Sequence, residues 1–422
     1  MTRGLLVLRV ASAVLVLPSL TVAGAPGTAA TRQLAATRQA PAAQPTTARV
    51  AAPEKPCPAP TPPVARPTRP APPPLDPAHR TIGGPELATA GLVTPAGAPT
   101  PPKVTATSWL VTDLTTGAVL GGCGPHEYGV PASVQKLLLA ATVMPQLDPA
   151  QVIEVTESDL DFEPGSSAVG LVRGGRYSVE TLWLGLILNS GNDAANVLAR
   201  LGGGMGGMAG GVAAMNAEAH KLGAYQTHAA TPSGLDGPGQ YTSAYDLALI
   251  ARACFAREDF RRYAATKMAQ VPAQEAGKTK GYPIWNDNQL LHRYPGALGG
   301  KTGYTDLARH SFVGAAERDG RTLLVTLLGA ESQPLAGWQQ GAALLDWGFG
   351  LPAAASVGQL VSRGQVDSQG RIPSQAAVAS GARPENDRGW HPGWLLMAGA
   401  PVVLLGALLT ILFLLRRRRV AG

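Results

Sequence analysis

The 422-residue chain is poor in the residues that build metal centres and nucleic-acid surfaces. It has three cysteines, Cys57, Cys123 and Cys254, with no Cys-x-x-Cys pair and no His-rich spacing, so no structural zinc site is expected. Three cysteines in an oxidising compartment allow one disulfide and one leftover thiol, and the sequence does not say which two pair. Cys254 lies in an apolar helical pattern, Leu247 to Phe255, where a buried free thiol is the default. Aromatic residues are 5% of the chain and no basic patch interleaves with them, which excludes nucleic acid as an expected partner. The formal charge of +7 does not contradict this. Arg3 and Arg9 open the chain and Arg416 to Arg419 close it, and the remainder is nearly neutral. The basicity therefore belongs to membrane topology.

Residues 1–25 read as a secretory signal: two arginines, an apolar run from Val10 to Ala23, and the small residues Ala23-Gly24-Ala25 at a cleavage site. Pro26 is awkward directly after that cut, which leaves a site near Ala30 open, with an uncleaved anchor as the alternative. Residues 26–104 are dense in Ala, Pro and Thr, a composition that buries little apolar surface, and read as a disordered spacer. At the other end, 351–393 read as a stalk and 394–415 as a membrane-spanning helix. Trp390 and Trp394 suit its outer interface, and the basic tail 416–422 stays in the cytoplasm. The expected placement is single-pass in the cell membrane with the body of the protein outside.

That body, 105–350, alternates between two kinds of pattern. Ser108–Asp113 and Ala118–Leu120 read as a β-hairpin, and Leu298–Tyr304, Ser311–Ala316 and Thr322–Leu328 as an antiparallel meander. Gln339–Phe349 supplies a closing helix, and helical patterns dominate an insertion from roughly 145 to 290. The glycine-rich run 202–211 reads as a flexible connection between helices, since no strand precedes it to make a dinucleotide fingerprint. The fold class is α/β (α+β): about five antiparallel strands flanked by helices, with a helical subdomain.

Three stretches carry chemistry. Ser133 and Lys136 lie three apart at the start of a helix that is apolar on nearly every side from Leu137 to Val143. Burial and a second nearby cation would both lower the lysine pKa and make it a base toward the serine. Ser190 and Asn192 sit where the apolar helix Leu182–Leu188 breaks, a place where simple capping is the bland reading. Gly299-Gly-Lys-Thr-Gly-Tyr304 places glycines around a Lys-Thr pair in a strand, which suits close approach of a ligand backbone; the phosphate-loop spacing is not met because residue 295 is Pro.

Ser-x-x-Lys, Ser-x-Asn and Lys-Thr-Gly in that order match the set shared by penicillin-binding proteins and class A β-lactamases. Pro131-Ala-Ser-Val-Gln-Lys-Leu-Leu138, Asn189-Ser-Gly-Asn-Asp-Ala-Ala195, Ala230-Thr-Pro-Ser-Gly-Leu-Asp236 and Gly300-Lys-Thr-Gly-Tyr-Thr305 resemble more specifically the D-alanyl-D-alanine carboxypeptidases, low-molecular-weight penicillin-binding proteins. The resemblance covers about 105–350 and implies a β-lactamase/transpeptidase-like fold. It implies Ser133 as the nucleophile, Lys136 as its base and Ser190 as the proton relay to the leaving D-Ala. Asn192 would hold the substrate amide and Lys136. Lys301 and Thr302 would receive the terminal carboxylate, and Gly303 and Tyr304 complete the substrate strand. The oxyanion hole would be the backbone N–H groups of Ser133 and Tyr304. The implied partners are peptidoglycan stem peptides and, as covalent inhibitors, β-lactams; no metal or organic cofactor is implied. Three departures stand out: Ala308-Arg309 replaces the usual Ala-Gly, 351–388 offer no convincing counterpart of the small β-domain of many relatives, and the expected anchor is a spanning helix where some relatives use an amphipathic one.

Two other readings fit the same fold: a β-lactamase or an esterase, and a non-catalytic protein. A class A β-lactamase needs a Glu to activate the deacylating water, and the obvious Glu218 sits in a plain amphipathic segment. A non-catalytic wall-binding or β-lactam-sensing protein would not need to keep Lys136.

Overall fold

In the computed structural model, which describes residues 54–60, 66–69, 71–367 and 370–371, the apolar run at 322–328 becomes the middle of a sheet. In chain order the strands are β1 (Leu92–Val93), β2 (Ser108–Asp113), β3 (Ala118–Cys123), β4 (Val152–Glu154), β5 (Arg176–Ser178), β6 (Met268–Val271), β7 (Tyr282–Trp285), β8 (Ala297–Thr305), β9 (Arg309–Arg318), β10 (Arg321–Ala330) and β11 (Gly358–Gln359). The helices are α1 (Pro77–Arg80), α2 (Lys136–Val143), α3 (Val179–Leu188), α4 (Asn192–Gly202), α5 (Gly207–Leu222), α6 (Ala244–Phe255), α7 (Glu258–Ala265), α8 (Gln289–Arg293) and α9 (Gly337–Phe349).

The sheet runs β1-β3-β2-β10-β9-β8, with β11 also on β3, and its pairings are antiparallel. The five long strands are those the sequence announces; β1 and β11 are two-residue additions, bringing the sheet to seven. Side chains alternate between faces. Leu323, Val325 and Leu327 of β10 join Leu344, Leu345 and Trp347 of α9, while Leu324 and Leu328 join the core that includes α2 and α6. Both faces are covered, which is why β10 reads as an unbroken apolar run instead of alternating with polar residues.

All eight residues of α2 are buried, so this helix is the axis on which α4, α5 and α6 pack. The expected helical insertion is present, with the small hairpins β4–β5 and β6–β7 set into it. The glycine run is not a flexible connection. Gly207 onward lies inside α5, and a Cβ on Gly211 would collide with the Ala199 carbonyl while one on Gly210 would sit 2.8 Å from the Gly203 carbonyl. Absence of side chains there is what lets α4 and α5 touch backbone to backbone.

The folded body also extends past both expected limits. Reading 26–104 as a spacer fails for its described part: Cys57 is bonded to Cys123, Leu92 N–H donates to the Lys55 carbonyl at 2.7 Å, and Ile82, Leu87, Val93 and Val104 are buried. Average composition hid these few apolar residues: Ile82, Leu87 and Val93 join the core on one side of the sheet and Val104 the core beneath α9. The same holds for the start of the expected stalk, where Leu351, Leu360, Val361 and Val366 are buried. Cys254 is the free buried cysteine. The expected signal 1–25, spanning helix 394–415 and tail 416–422 lie outside the described residues.

Candidate active site

A tight turn, Ala132–Gln135, leads into α2 and presents Ser133. Ala132 takes φ +50°, a left-handed conformation that costs a non-glycine residue about 1–3 kcal/mol and is held only when the surroundings enforce it. The surroundings are two packed backbones. Gly234, at φ +87°, lies so close that a Cβ there would collide with the Ala132 carbonyl. On the other side a Cβ on Gly303 would be 2.8 Å from the Ser133 nitrogen, so only glycine lets β8 approach the nucleophile. Ser311 of β9 donates its hydroxyl to the Pro131 carbonyl at 2.5 Å and ties the turn to the sheet.

Lys136 is fully buried, and its Nζ lies 2.9 Å from Ser133 Oγ, 2.7 Å from Asn192 Oδ1 and 2.8 Å from the Ser233 carbonyl. Burial pushes its pKa well below the usual lysine value, and the charge of Lys301 pushes it the same way; the Asp193 carboxylate opposes them. A neutral amine has two N–H bonds and one lone pair. Asn192 Oδ1 and the Ser233 carbonyl can only accept, so they take the two N–H bonds. The lone pair is left for the Ser133 hydroxyl.

The orientation of Asn192 is fixed from behind. Its Nδ2 donates to Ser166 Oγ at 2.9 Å, and Ser166 in turn donates to the Glu163 carbonyl at 2.6 Å. Asp193, the next residue, is buried and accepts from the backbone N–H groups of Val169, Gly170 and Leu171 at 2.9, 2.8 and 2.9 Å. Tyr282 of β7 donates to the Val169 carbonyl at 2.8 Å. The 165–171 loop is thereby clamped over the cleft.

Ser190 stands at φ +64°, buried, its hydroxyl without a hydrogen-bond partner among the described residues. Across from it runs β8, whose glycines Gly299 and Gly300, at φ +98° and +146°, break the register with β9 just before Lys301. Lys301 is buried and donates to the Thr302 carbonyl at 2.8 Å. Burial lowers its pKa to about 8, with Asp287 acting to raise it, so it keeps its proton at neutral pH. Asp287 is moved up by burial and down by Lys301. Tyr304 is half exposed; its hydroxyl donates to Asp306 at 3.1 Å and receives an N–H from Arg309 at 3.1 Å.

Ser133, Ser190, Asn192, Thr302, Gly303 and Tyr304 thus line one cleft, with Ser166 and Asp287. Lys136 and Lys301 are not in its lining; Lys136 reaches it through Ser133, and Lys301 through its neighbour Thr302. All eight residues singled out from the sequence converge. Those the motifs missed are Ser233, which contributes a main-chain oxygen, Ser166, Asp193 and Asp287. The Thr-Pro-Ser-Gly word around Ser233 was visible, and Asp193 stands inside the Asn189–Ala195 word without being singled out; nothing local marks Ser166 or Asp287. Glu218 is elsewhere, paired with Arg363 (Nη2–Oε2, 2.8 Å), and is not in the cleft lining.

The Ala308-Arg309 departure also has a structural basis. Arg309 sits at φ +58°, in the left-handed region that favours glycine, and it is held by a bidentate pair with the buried Glu331. Its guanidinium lies over the Tyr304 ring, 5.5 Å from the centroid.

Comparison with known proteins places these features. The sequence profile of the D-alanyl-D-alanine carboxypeptidase family, peptidase S11, matches residues 96–332. The D-alanyl-D-alanine carboxypeptidase DacB2 of Mycobacterium tuberculosis is 44% identical over 273 residues, 64% of this chain and 90% of that protein. DacD of Salmonella typhimurium is 34% identical over 265 residues, 60% of this chain and 64% of its own length. Among solved structures, a D-alanyl-D-alanine carboxypeptidase from M. tuberculosis is 43% identical, with a TM-score of 0.59 over 64% of this chain and all of that one. A Streptomyces DD-transpeptidase, 28% identical, aligns at 0.57 over 60% of this chain and all of its own, so the fold is transpeptidase-like. The family acts outside the cytoplasm, and the Cys57–Cys123 bond is consistent with that compartment. The chain belongs to the S11 family and is a serine-type D-alanyl-D-alanine carboxypeptidase.

Proposed function

We propose that the cleft removes the terminal D-alanine of peptidoglycan pentapeptide stems through an acyl-ester on Ser133. The observation that carries this is the environment of Lys136: buried, depressed in pKa, and with both N–H bonds committed to pure acceptors. Lys136 takes the Ser133 proton as Oγ attacks the carbonyl of the D-Ala-D-Ala bond. The oxyanion forms against the backbone N–H groups of Ser133 and Tyr304, each such donor being worth about 2.7–4 kcal/mol to the transition state. Ser190, whose hydroxyl is uncommitted, relays the proton that Lys136 has gained to the leaving amine, which returns Lys136 to its neutral form. Asn192 holds the stem amide, and the charged Lys301 with Thr302 holds the free carboxylate, while Gly303 and Tyr304 offer the strand along which the stem lies. Water then takes the acyl group from Ser133 and restores the serine. β-Lactams enter the same path and stop at the ester.

Ser133→Ala is expected to lose covalent labelling by a fluorescent penicillin entirely and to bring D-Ala release from a D-Ala-D-Ala peptide to background. Labelling that persists in this variant would overturn the assignment of the nucleophile. Rapid hydrolysis of the penicillin by wild type would instead favour a β-lactamase.

We further propose that residues 1–25 export the chain and that 394–415 anchor it by one span, with 416–422 in the cytoplasm. The length and apolarity of 394–415 and the four arginines after it support this reading. Full-length protein is then expected in the membrane fraction after a carbonate wash, and a chain ending at residue 393 in the soluble fraction. Retention of the shortened chain in the membrane would refute the anchor.

A further inference from the structure

The proline-rich stretch before the sheet was expected to be a disordered spacer, yet two of its arginines end beside the catalytic cleft. Arg69 donates from Nε to the Leu307 carbonyl at 3.1 Å and from Nη2 to the Ala308 carbonyl at 3.3 Å. Arg66 donates to the Thr105 carbonyl at 2.5 Å and lies 3.8 Å from Glu331, the carboxylate that also holds Arg309. The niche they enter is cut into the sheet. The β10 register breaks between Leu327 and Ala330, and Gly329 there takes φ +66°. A Cβ on Gly329 would lie 2.9 Å from Arg69 Nη2 and 3.2 Å from Arg66 Nη1, so a side chain at this position would crowd both guanidinium groups.

What Arg69 grips is the turn that ends β8. Thr305, at the start of that turn, lines the cleft and donates to Asp236 at 2.7 Å; Ala308 N–H returns to Thr305 Oγ1 at 3.0 Å. Arg309, at its end, reaches Tyr304. From this geometry we infer that Arg69 is a positioning residue: through two main-chain carbonyls it fixes the 305–309 turn, and with it the Thr302–Tyr304 end of the cleft that receives the substrate's carboxylate. The inference rests on the reading of the cleft given above. A guanidinium fork suits the task because it presents two fixed N–H directions to two successive carbonyls, whereas an ammonium is a single point donor. Cys57–Cys123 fastens the same stretch to β3, so the arginines are delivered by a segment that is cross-linked to the body.

The test compares wild type, Arg69→Ala and Arg69→Lys in the full chain, with amide hydrogen exchange of residues 305–309, KM and kcat for a D-Ala-D-Ala peptide, and thermal midpoint. In Arg69→Ala, which loses both charge-assisted contacts, exchange of the turn is expected to quicken at least about tenfold and KM to rise about tenfold, with kcat within about twofold of wild type. Arg69→Lys should fall between the two; because the side chain is half-buried the midpoint is expected to drop modestly in Arg69→Ala, and exchange of 305–309 is therefore read against that of segments the arginine does not touch. Unchanged exchange, or quickened exchange with KM unchanged, would overturn the inference. Wild-type protein that releases no D-Ala would instead overturn the reading of the cleft, a failure the exchange data do not share.

Discussion

Lys136→Ala is expected to slow acylation of Ser133 by about 10³-fold, within the 10²–10⁴ range typical of a positioned general base. Among the described residues only Lys136 hydrogen-bonds Ser133 Oγ: the His310 ring, which also lines the cleft, makes no such contact, and Lys301 holds its own proton at neutral pH because its pKa is about 8. The effect is read from the rate of fluorescent-penicillin labelling, with the thermal midpoint as a check that the fold persists. A labelling rate within a few-fold of wild type would remove Lys136 from the mechanism. The pH dependence carries the same argument with a sign. Lys136 works deprotonated, so kcat/KM rises with pH through its depressed pKa. Lys301 works protonated, so kcat/KM falls above about pH 8 as its charge is lost. The two limbs belong to a coupled pair, because each ammonium disfavours the other. In Lys301→Ala the falling limb should vanish, KM should rise, and the rising limb should move to higher pH, since the charge that helped to deprotonate Lys136 is gone.

The eight cleft residues were legible because each belongs to a short word whose spacing is itself a geometric demand. Ser133 and Lys136 must share one turn of helix, and Lys301 to Gly303 must lie on a strand that comes within contact of that turn. The strands were legible for a similar reason: β10 is covered on both faces and so reads as an unbroken apolar run. What was hidden falls into two kinds. The Ser233 carbonyl is a main-chain atom, and main-chain atoms have no letter. Asp193 on α4, Ser166 in the loop before it and Arg69 in the proline-rich stretch act across long sequence distances, on partners that no local pattern identifies. The proline-rich stretch misled for a third reason. Composition averages over a window, whereas folding of that stretch rests on a handful of residues, Cys57, Ile82, Leu87 and Val93, that happen to meet the sheet edge. The glycine run misled likewise, since glycine permits close helix contact as readily as it permits flexibility.

The convergence on Asp193 gives the second large effect. Its carboxylate accepts three N–H bonds from the 169–171 backbone and a fourth from Ala194, and it is almost fully buried. Asp193→Ala leaves those donors in a dry interior, each at a cost of about 1–3 kcal/mol where no water enters, so a loss of about 3 kcal/mol or more is expected in chemical denaturation. Released from its clamp, the 165–171 loop no longer holds Ser166 against Asn192, and the amide that directs Lys136 is free to turn. Acylation should therefore slow as well. Two outcomes separate this from plain instability. Asp193 is the carboxylate that favours the charged form of Lys136, so its removal lowers the lysine pKa further, and the rising limb of the pH profile should move to lower pH even as the plateau falls. Loss of folded protein alone would shrink the plateau and leave the limb where it was. A variant with wild-type stability and an unmoved limb would mean that the loop is held by other contacts and that Asp193 is not the link between it and the base.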